Sequence, residues 1–145
     1  MSELVDAADI LITTEEDTER VFGIKKDSYE EVAKALAEQF HLGAVAITLR
    51  ETPLVQQNTW TAIAYANGKI HRGPKFKIEI VDRVGAGDSF TGGFLFGYLH
   101  DGPAAAVRYG VAISALKQTN PGDLCWVSLE EVERLLEGGG LRIVR

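Results

Sequence analysis

The sequence has 145 residues, 46% hydrophobic and 25% charged, with a net charge of −6 and a pI near 5.1. Such a composition suits an ordinary globular domain that buries roughly two-thirds of its unfolded surface, and the acidic balance excludes a nucleic-acid surface, which needs a basic patch. The single Cys125 rules out an internal disulfide framework and suits a reducing cytosol. No apolar run reaches the ~20 residues that span a bilayer, so residues 1–145 are expected to form one cytoplasmic unit away from membranes.

Residues 9–13, Asp-Ile-Leu-Ile-Thr, are a short apolar run and predict a buried strand. An acidic helix follows through about Phe22, capped by Thr13 or Thr14. Ser28-Tyr29-Glu30-Glu31 is a capping box. Its helix gathers Tyr29, Val32, Ala33, Leu36, Ala37 and Phe40 on one face, with Gly43 as the stop. Residues 44–49 are apolar and β-rich, which predicts a strand–helix–strand unit and an α/β fold with a mainly parallel sheet flanked by helices. Ligands of open α/β sheets sit beyond the carboxyl ends of strands. Thr48 and Arg50 stand at such an end. A guanidinium suits phosphate oxygens, and a solvated arginine in a turn is the plain alternative.

Residues 58–66 read as a strand, Asn67-Gly68 as a hairpin turn and residues 69–72 as the return strand. Trp60 and Tyr65 are expected to pack in the interior. His41, His71 and His100 share no ligand spacing, so no zinc site is expected. Residues 76–81 then lead into Gly85-Ala86-Gly87-Asp88, where a glycine turn runs into a helix. Amides of such a turn, with those of the first helical turn, point outward and form an anion site. Asp88 stands at its mouth, either as the helix N-cap or as a group with chemistry to do. The helix is expected to continue to about His100 and to bury Phe90, Phe94, Leu95 and Tyr98. Gly92, Gly93 and Gly97 weaken it, which makes sense where backbone or ligand comes close. An Ala-rich helix from Pro103 to about Lys117, a polar turn over residues 117–123 and a second capping box at Ser128 complete the pattern. The last helix is expected to stop at Gly138-Gly139-Gly140.

The pattern Asp82-x-x-Gly85-Ala86-Gly87-Asp88-Ser89-Phe90-x-x-Gly93 resembles the signature of the ribokinase-like (PfkB-type) carbohydrate kinases. No Gly-Lys-Ser/Thr follows, so it is not a Walker loop. The resemblance implies ATP-dependent phosphoryl transfer to a sugar hydroxyl. It makes Asp88 the general base and the amides of Gly85, Ala86 and Gly87 the anion hole. Thr14 and Asp17 fall where the family has Asn-x-x-Glu, which implies a water-mediated Mg2+ role for Asp17. Thr48 matches the family's Thr-x-Gly near the nucleotide, and Arg50 departs from it. Lys117 and Asn120 lie in the loop that borders the family's adenine pocket. Arg83 stands where the family often has Thr and is a candidate for binding a sugar-acid carboxylate or a phosphate, an ion pair with Asp82 being the alternative. Asp82 itself is a candidate for ordering the loop.

The likeness is strongest to the 2-keto-3-deoxygluconate kinase branch, through residues 80–85, Lys117, the Pro-Gly-Asp turn and the closing Arg142-Ile143-Val144-Arg145. It covers only the second half of the family pattern. The sugar-binding half and the lid have no counterpart, so a missing N-terminal half is an implied partner beside the small-molecule sugar. The chain alone is expected to be inactive. The alternative is a non-catalytic fragment that binds a nucleotide or a protein partner.

Overall fold

The computed structural model describes residues 2–54 and 57–138, arranged as two compact units. The closing residues 142–145 and the glycines at 139 and 140 lie outside the described residues.

The first unit comprises Met1–Leu49 and Ala62–Arg72. After a short α1 (Ser2–Val5), strand β1 (Ile10–Thr14) runs into α2 (Glu15–Phe22), and α3 (Tyr29–Gln39) leads into β2 (Ala44–Leu54). Thr14 caps α2 as expected, its hydroxyl accepting from the Asp17 amide at 3.2 Å. Ser28 caps α3 through the Glu31 amide. The α3 face of Val32, Ala33, Leu36 and Ala37 packs with Phe40, Val45, Ile47 and Ile63. Gly43 is not the stop of α3. His41 takes the left-handed conformation at φ 53°. Gly43 instead starts the run into β2, its amide donating to the Asp9 carbonyl at 2.8 Å. Strands β1 and β2 pair in parallel, from Ile10 with Ala44 to Thr14 with Thr48. The end of β3 (Gln57–Ala66) pairs antiparallel with β4 (Lys69–Arg72). Asn67 and Gly68 both have positive φ, 52° and 73°, which is the turn that two-residue hairpins prefer.

The second unit comprises Arg50–Thr61 and Gly73–Arg145. Here the start of β3 pairs antiparallel with β5 (Phe76–Ile78). The sheet order is β1-β2-β3-β4, with β5 beside β3. The α/β sheet flanked by helices is as expected: the β1–β2 pair is parallel, and the expected Asn67-Gly68 hairpin and the β3–β5 pair add antiparallel strands to it. Strand β5 also ends before Val81, whose amide leaves the sheet to donate to the Gln118 carbonyl at 2.9 Å.

Helices α4 (Ala86–Asp101) and α5 (Pro103–Gln118) form a tight hairpin. A Cβ on Gly97 would lie 2.7 Å from the Ala105 backbone, and one on Gly93 2.8 Å from the Tyr109 carbonyl. These two glycines therefore serve backbone contact between helices. Gly92 has no such neighbour. Phe90 and Phe94 are fully buried, but Leu95 is exposed, because it faces away from α5. Helix α6 (Leu129–Leu136) carries both halves of the Ser128 capping box and buries Val132 and Leu135 against Ala112 and Leu116. Among the described residues, no helix is long and apolar enough to cross a membrane.

Candidate functional site

The glycine turn is held by one residue in a left-handed conformation. Gly85 is the N-cap of α4 at φ 77°, ψ 0°, and no side chain caps the helix. A Cβ at Gly85 would collide with the Asp123 carbonyl oxygen and lie 3.4 Å from Cε of Lys117. Both the dihedral and the space therefore demand glycine. Gly87 differs. A Cβ there would meet nothing within 4 Å, so the position faces open space.

Ala86, Gly87 and Asp88 are the first three residues of α4. Asp88 is thus not the N-cap that its residue type suggested. Its carboxylate is exposed and makes no hydrogen bond or ion pair among the described residues. The Ala86 amide donates to the Arg83 carbonyl at 3.1 Å, so it is not a free member of an anion hole. The amides of Gly85, Gly87 and Asp88 have no acceptor among the described residues. Buried Ser114 fixes the start of the helix by donating to the Ala86 carbonyl at 2.8 Å. The Ser89 hydroxyl donates to the Gly85 carbonyl at 2.8 Å.

The approach to the turn is tied to the C-terminal end of α5. Asp82 accepts from the Val84 amide at 3.0 Å with one oxygen and from the Gly122 amide at 2.9 Å with the other. The Val84 and Gly122 amides, in that order, hold its carboxyl below the usual carboxylate range, with help from the Lys117 charge. Asp82 orders this loop. The expected alternative, an ion pair between Asp82 and Arg83, does not form, and exposed Arg83 makes no ion pair among the described residues.

Lys117 and Asn120 are not the rim of an open polar turn. Lys117 lies in the last turn of α5, fully buried, with Nζ 3.4 Å from the Asn120 carbonyl. Asn120 is buried too, its amide nitrogen donating to the Leu116 carbonyl at 3.1 Å. Lys117 lies against the glycine turn at Gly85, and Asn120 is tied to Lys117 and Leu116. Sequence reasoning missed Ser114, although a lone serine on an Ala- and Val-rich helix was the available signal. Arg50 is exposed and its guanidinium stacks over Trp60, 5.6 Å from the ring centroid.

Arg50, Arg83, Gly85, Ala86, Gly87, Asp88, Lys117 and Asn120 all belong to the second unit. Thr48 and Asp17 belong to the first. Thr48 is buried, its hydroxyl donating to the Thr13 carbonyl at 3.4 Å. Asp17 is exposed, and one of its oxygens accepts from the Thr14 hydroxyl at 2.8 Å. Among the described residues, no three His, Cys, Asp or Glu side chains gather as a metal site.

Residues 1–125 match the model of the pfkB family carbohydrate kinases. The 2-dehydro-3-deoxygalactonokinase of Haloferax volcanii is 35% identical over 143 residues, which are 98% of this chain and 42% of that protein. The crystal structure of a 2-dehydro-3-deoxygluconokinase from Thermotoga maritima is 37% identical with a TM-score of 0.87, covering 94% of this chain and 43% of that one. A putative ribokinase II from E. coli, solved in complex with ATP and Mg2+, shares the fold at a TM-score of 0.73 and 21% identity, over 94% of this chain and 42% of that one. The chain thus spans about two-fifths of the length of these relatives. It belongs to the pfkB family of carbohydrate kinases.

Proposed function

We propose that this chain supplies the phosphoryl-transfer centre of an ATP-dependent kinase acting on a hydroxyl of 2-keto-3-deoxygluconate or a related sugar acid. The names of the Haloferax and Thermotoga relatives, both above 30% identical, support the substrate class. The residues present fit a nucleotide: unclaimed amides at Gly85, Gly87 and Asp88 meet the positive end of the 16-residue helix α4, beside a glycine that leaves open space. When bound, ATP with Mg2+ supplies the phosphoryl group and the positive charge that offsets its phosphates.

The chain's own residues do the rest. The amides of Gly87 and Asp88, with that of Gly85, hold phosphoryl oxygens where negative charge develops. The Asp88 carboxylate takes the proton of the attacking hydroxyl. Arg83, without an ion pair among the described residues, offers its guanidinium to a sugar-acid carboxylate or to phosphate. Asp17 keeps one oxygen for a water of the metal's shell. Lys117 backs the turn, its ammonium group near the Asn120 carbonyl, with Arg50 of the same unit on the nucleotide side.

One observation carries this reading. Asp88 is exposed and unspent at the start of a helix whose cap is Gly85. A cap tolerates Asn, whereas a base does not. In a complete kinase carrying this chain, Asp88→Asn is expected to leave melting temperature and ATP binding unchanged and to lower turnover by about 10²–10⁴-fold. Near-normal turnover of the Asn variant would overturn the mechanism. A second reading, a non-catalytic fragment that binds a nucleotide or a partner, draws on the 42% coverage of the longer relative.

A further inference from the structure

The end of α5 and the turn after it carry a run of buried polar side chains: Ser114, Lys117, Gln118 and Asn120. Three of them spend a donor on a main-chain carbonyl: Ser114 on Ala86, Gln118 on Ser114 and Asn120 on Leu116, at 2.8, 3.3 and 3.1 Å. Lys117 is different. Its side chain is fully out of water, and an ammonium has three N–H donors. The hydrogen bond it makes among the described residues is a long one, 3.4 Å to the Asn120 carbonyl. Among the described residues no carboxylate pairs with it. Burying a charge so sparsely partnered is costly. A methionine would fill the same space without that cost, so packing alone does not account for a lysine here.

What the ammonium faces is the glycine turn. Cε of Lys117 and the Asp123 carbonyl oxygen both crowd the point where a Cβ of Gly85 would stand. The Lys117 charge also reaches the Asp82 carboxylate, whose two oxygens tie Val84 to Gly122. A single positive charge thus sits beneath the turn, near the main-chain carbonyls of residues 120 and 123. Main-chain carbonyls standing in for water are how proteins seat a dehydrated monovalent cation.

We propose that Lys117 is a positioning residue of the phosphoryl-transfer centre, its ammonium serving as a built-in monovalent cation. It gathers the carbonyls of the loop after α5 and gives the turn a fixed positive charge against which phosphoryl oxygens settle. Water does not screen a charge held there, so it acts more strongly than a surface lysine would. Being buried, Lys117 touches no ligand and works through the amides of Gly85, Gly87 and Asp88. This role rests on the reading of the turn as a phosphate site, and it adds that the site needs no free monovalent cation.

Melting temperatures of the full 145-residue chain test the seat without any nucleotide. Lys117→Ala empties it. That variant is expected to melt below the parent and to regain most of the loss in ammonium or methylammonium chloride, but not in choline chloride at the same ionic strength. The parent is expected to respond alike to all three salts. Titration of the same proteins with MgATP tests the charge. Lys117→Met, which fills the space without charge, is expected to bind MgATP about tenfold or more weakly than the parent, with no recovery in any salt. Lys117→Ala is expected to bind as weakly in choline chloride and to approach the parent in ammonium chloride. Parent-like binding by Lys117→Met would overturn the positioning role. An equal response of Lys117→Ala to ammonium and choline would overturn the built-in cation. Absence of MgATP binding by the parent would overturn the phosphate reading of the turn and this role with it, a result distinct from either failure of the variants. Where Lys117→Ala does not fold, the comparison of Lys117→Met with the parent still decides whether the charge is needed.

Discussion

Gly85 and Gly87 look alike in the motif and differ in what they resist. At Gly85 the left-handed backbone and the Asp123 carbonyl both exclude a side chain. Gly85→Ala is expected to destabilise the fold by about 1–3 kcal/mol, or more where the Asp123 loop has to shift. Gly87 sits in the first turn of α4 with open space where its Cβ would be. Gly87→Ala is expected to leave stability the same or raise it by up to about 1 kcal/mol, since Ala is the better helix former, while weakening nucleotide binding by crowding the phosphates. Chemical denaturation and nucleotide titration of both variants check the pair, and equal loss of stability in the two would refute the distinction. Sequence placed Asp88 correctly at a helix start. It left open whether Asp88 is the cap or a group with chemistry to do, because the cap falls on Gly85 only through a left-handed φ set by the Asp123 loop packed against it.

Between β5 and α4 the chain is held by the end of another helix rather than by its own secondary structure. Val81 and Asp82 both donate their amides to the Gln118 carbonyl, and Asp82 reaches on to Gly122. The carboxyl of Asp82 is lowered in the folded protein, so its contribution to stability is present above the ordinary carboxylate range and is lost as pH falls through its lowered value. Asp82→Ala is therefore expected to be less stable than the parent near neutral pH, with the gap closing in acid. Melting temperatures of both proteins across that range check it, and a gap independent of pH would show that the carboxylate charge is not what ties the loop. Helices α2 to α6 were legible from caps, apolar spacing and Pro103. The end of β5 was not, because Val81 continues an apolar run in sequence and leaves the sheet only for a partner far along the chain. The burial of Lys117 and Asn120 was hidden for the same reason: polar residues after a helix read as a solvated turn unless the element that covers them is known.

The fold class was readable, and the mixture of strand directions was only half so. Asn67-Gly68 predicts its hairpin and residues 44–49 a parallel pair, and both stand in the finished sheet. Phosphoryl transfer depends on holding two substrates in register, a contribution that reaches many kcal/mol in well-oriented systems, about 7–11 in favourable cases. This chain spans about two-fifths of its relatives. With ATP, Mg2+ and 2-keto-3-deoxygluconate, the 145-residue chain alone is expected to show no turnover above background in a coupled ADP assay. Turnover comparable with that of an intact family member would overturn the division of labour proposed above.

The α4–α5 hairpin brings the first turn of one helix beside the last turn of the other, through Ser114 on Ala86 and Lys117 under Gly85. A helix C-terminus carries about half a negative charge, and an N-terminus about half a positive one. Set side by side, these ends largely cancel, and a turn meant for phosphate would be nearly neutral. Lys117 stands in that last turn, out of water, with its ammonium 3.4 Å from the Asn120 carbonyl. A buried lysine there offsets the carbonyl end of α5, which leaves the polarity of α4 to prevail at the glycine turn.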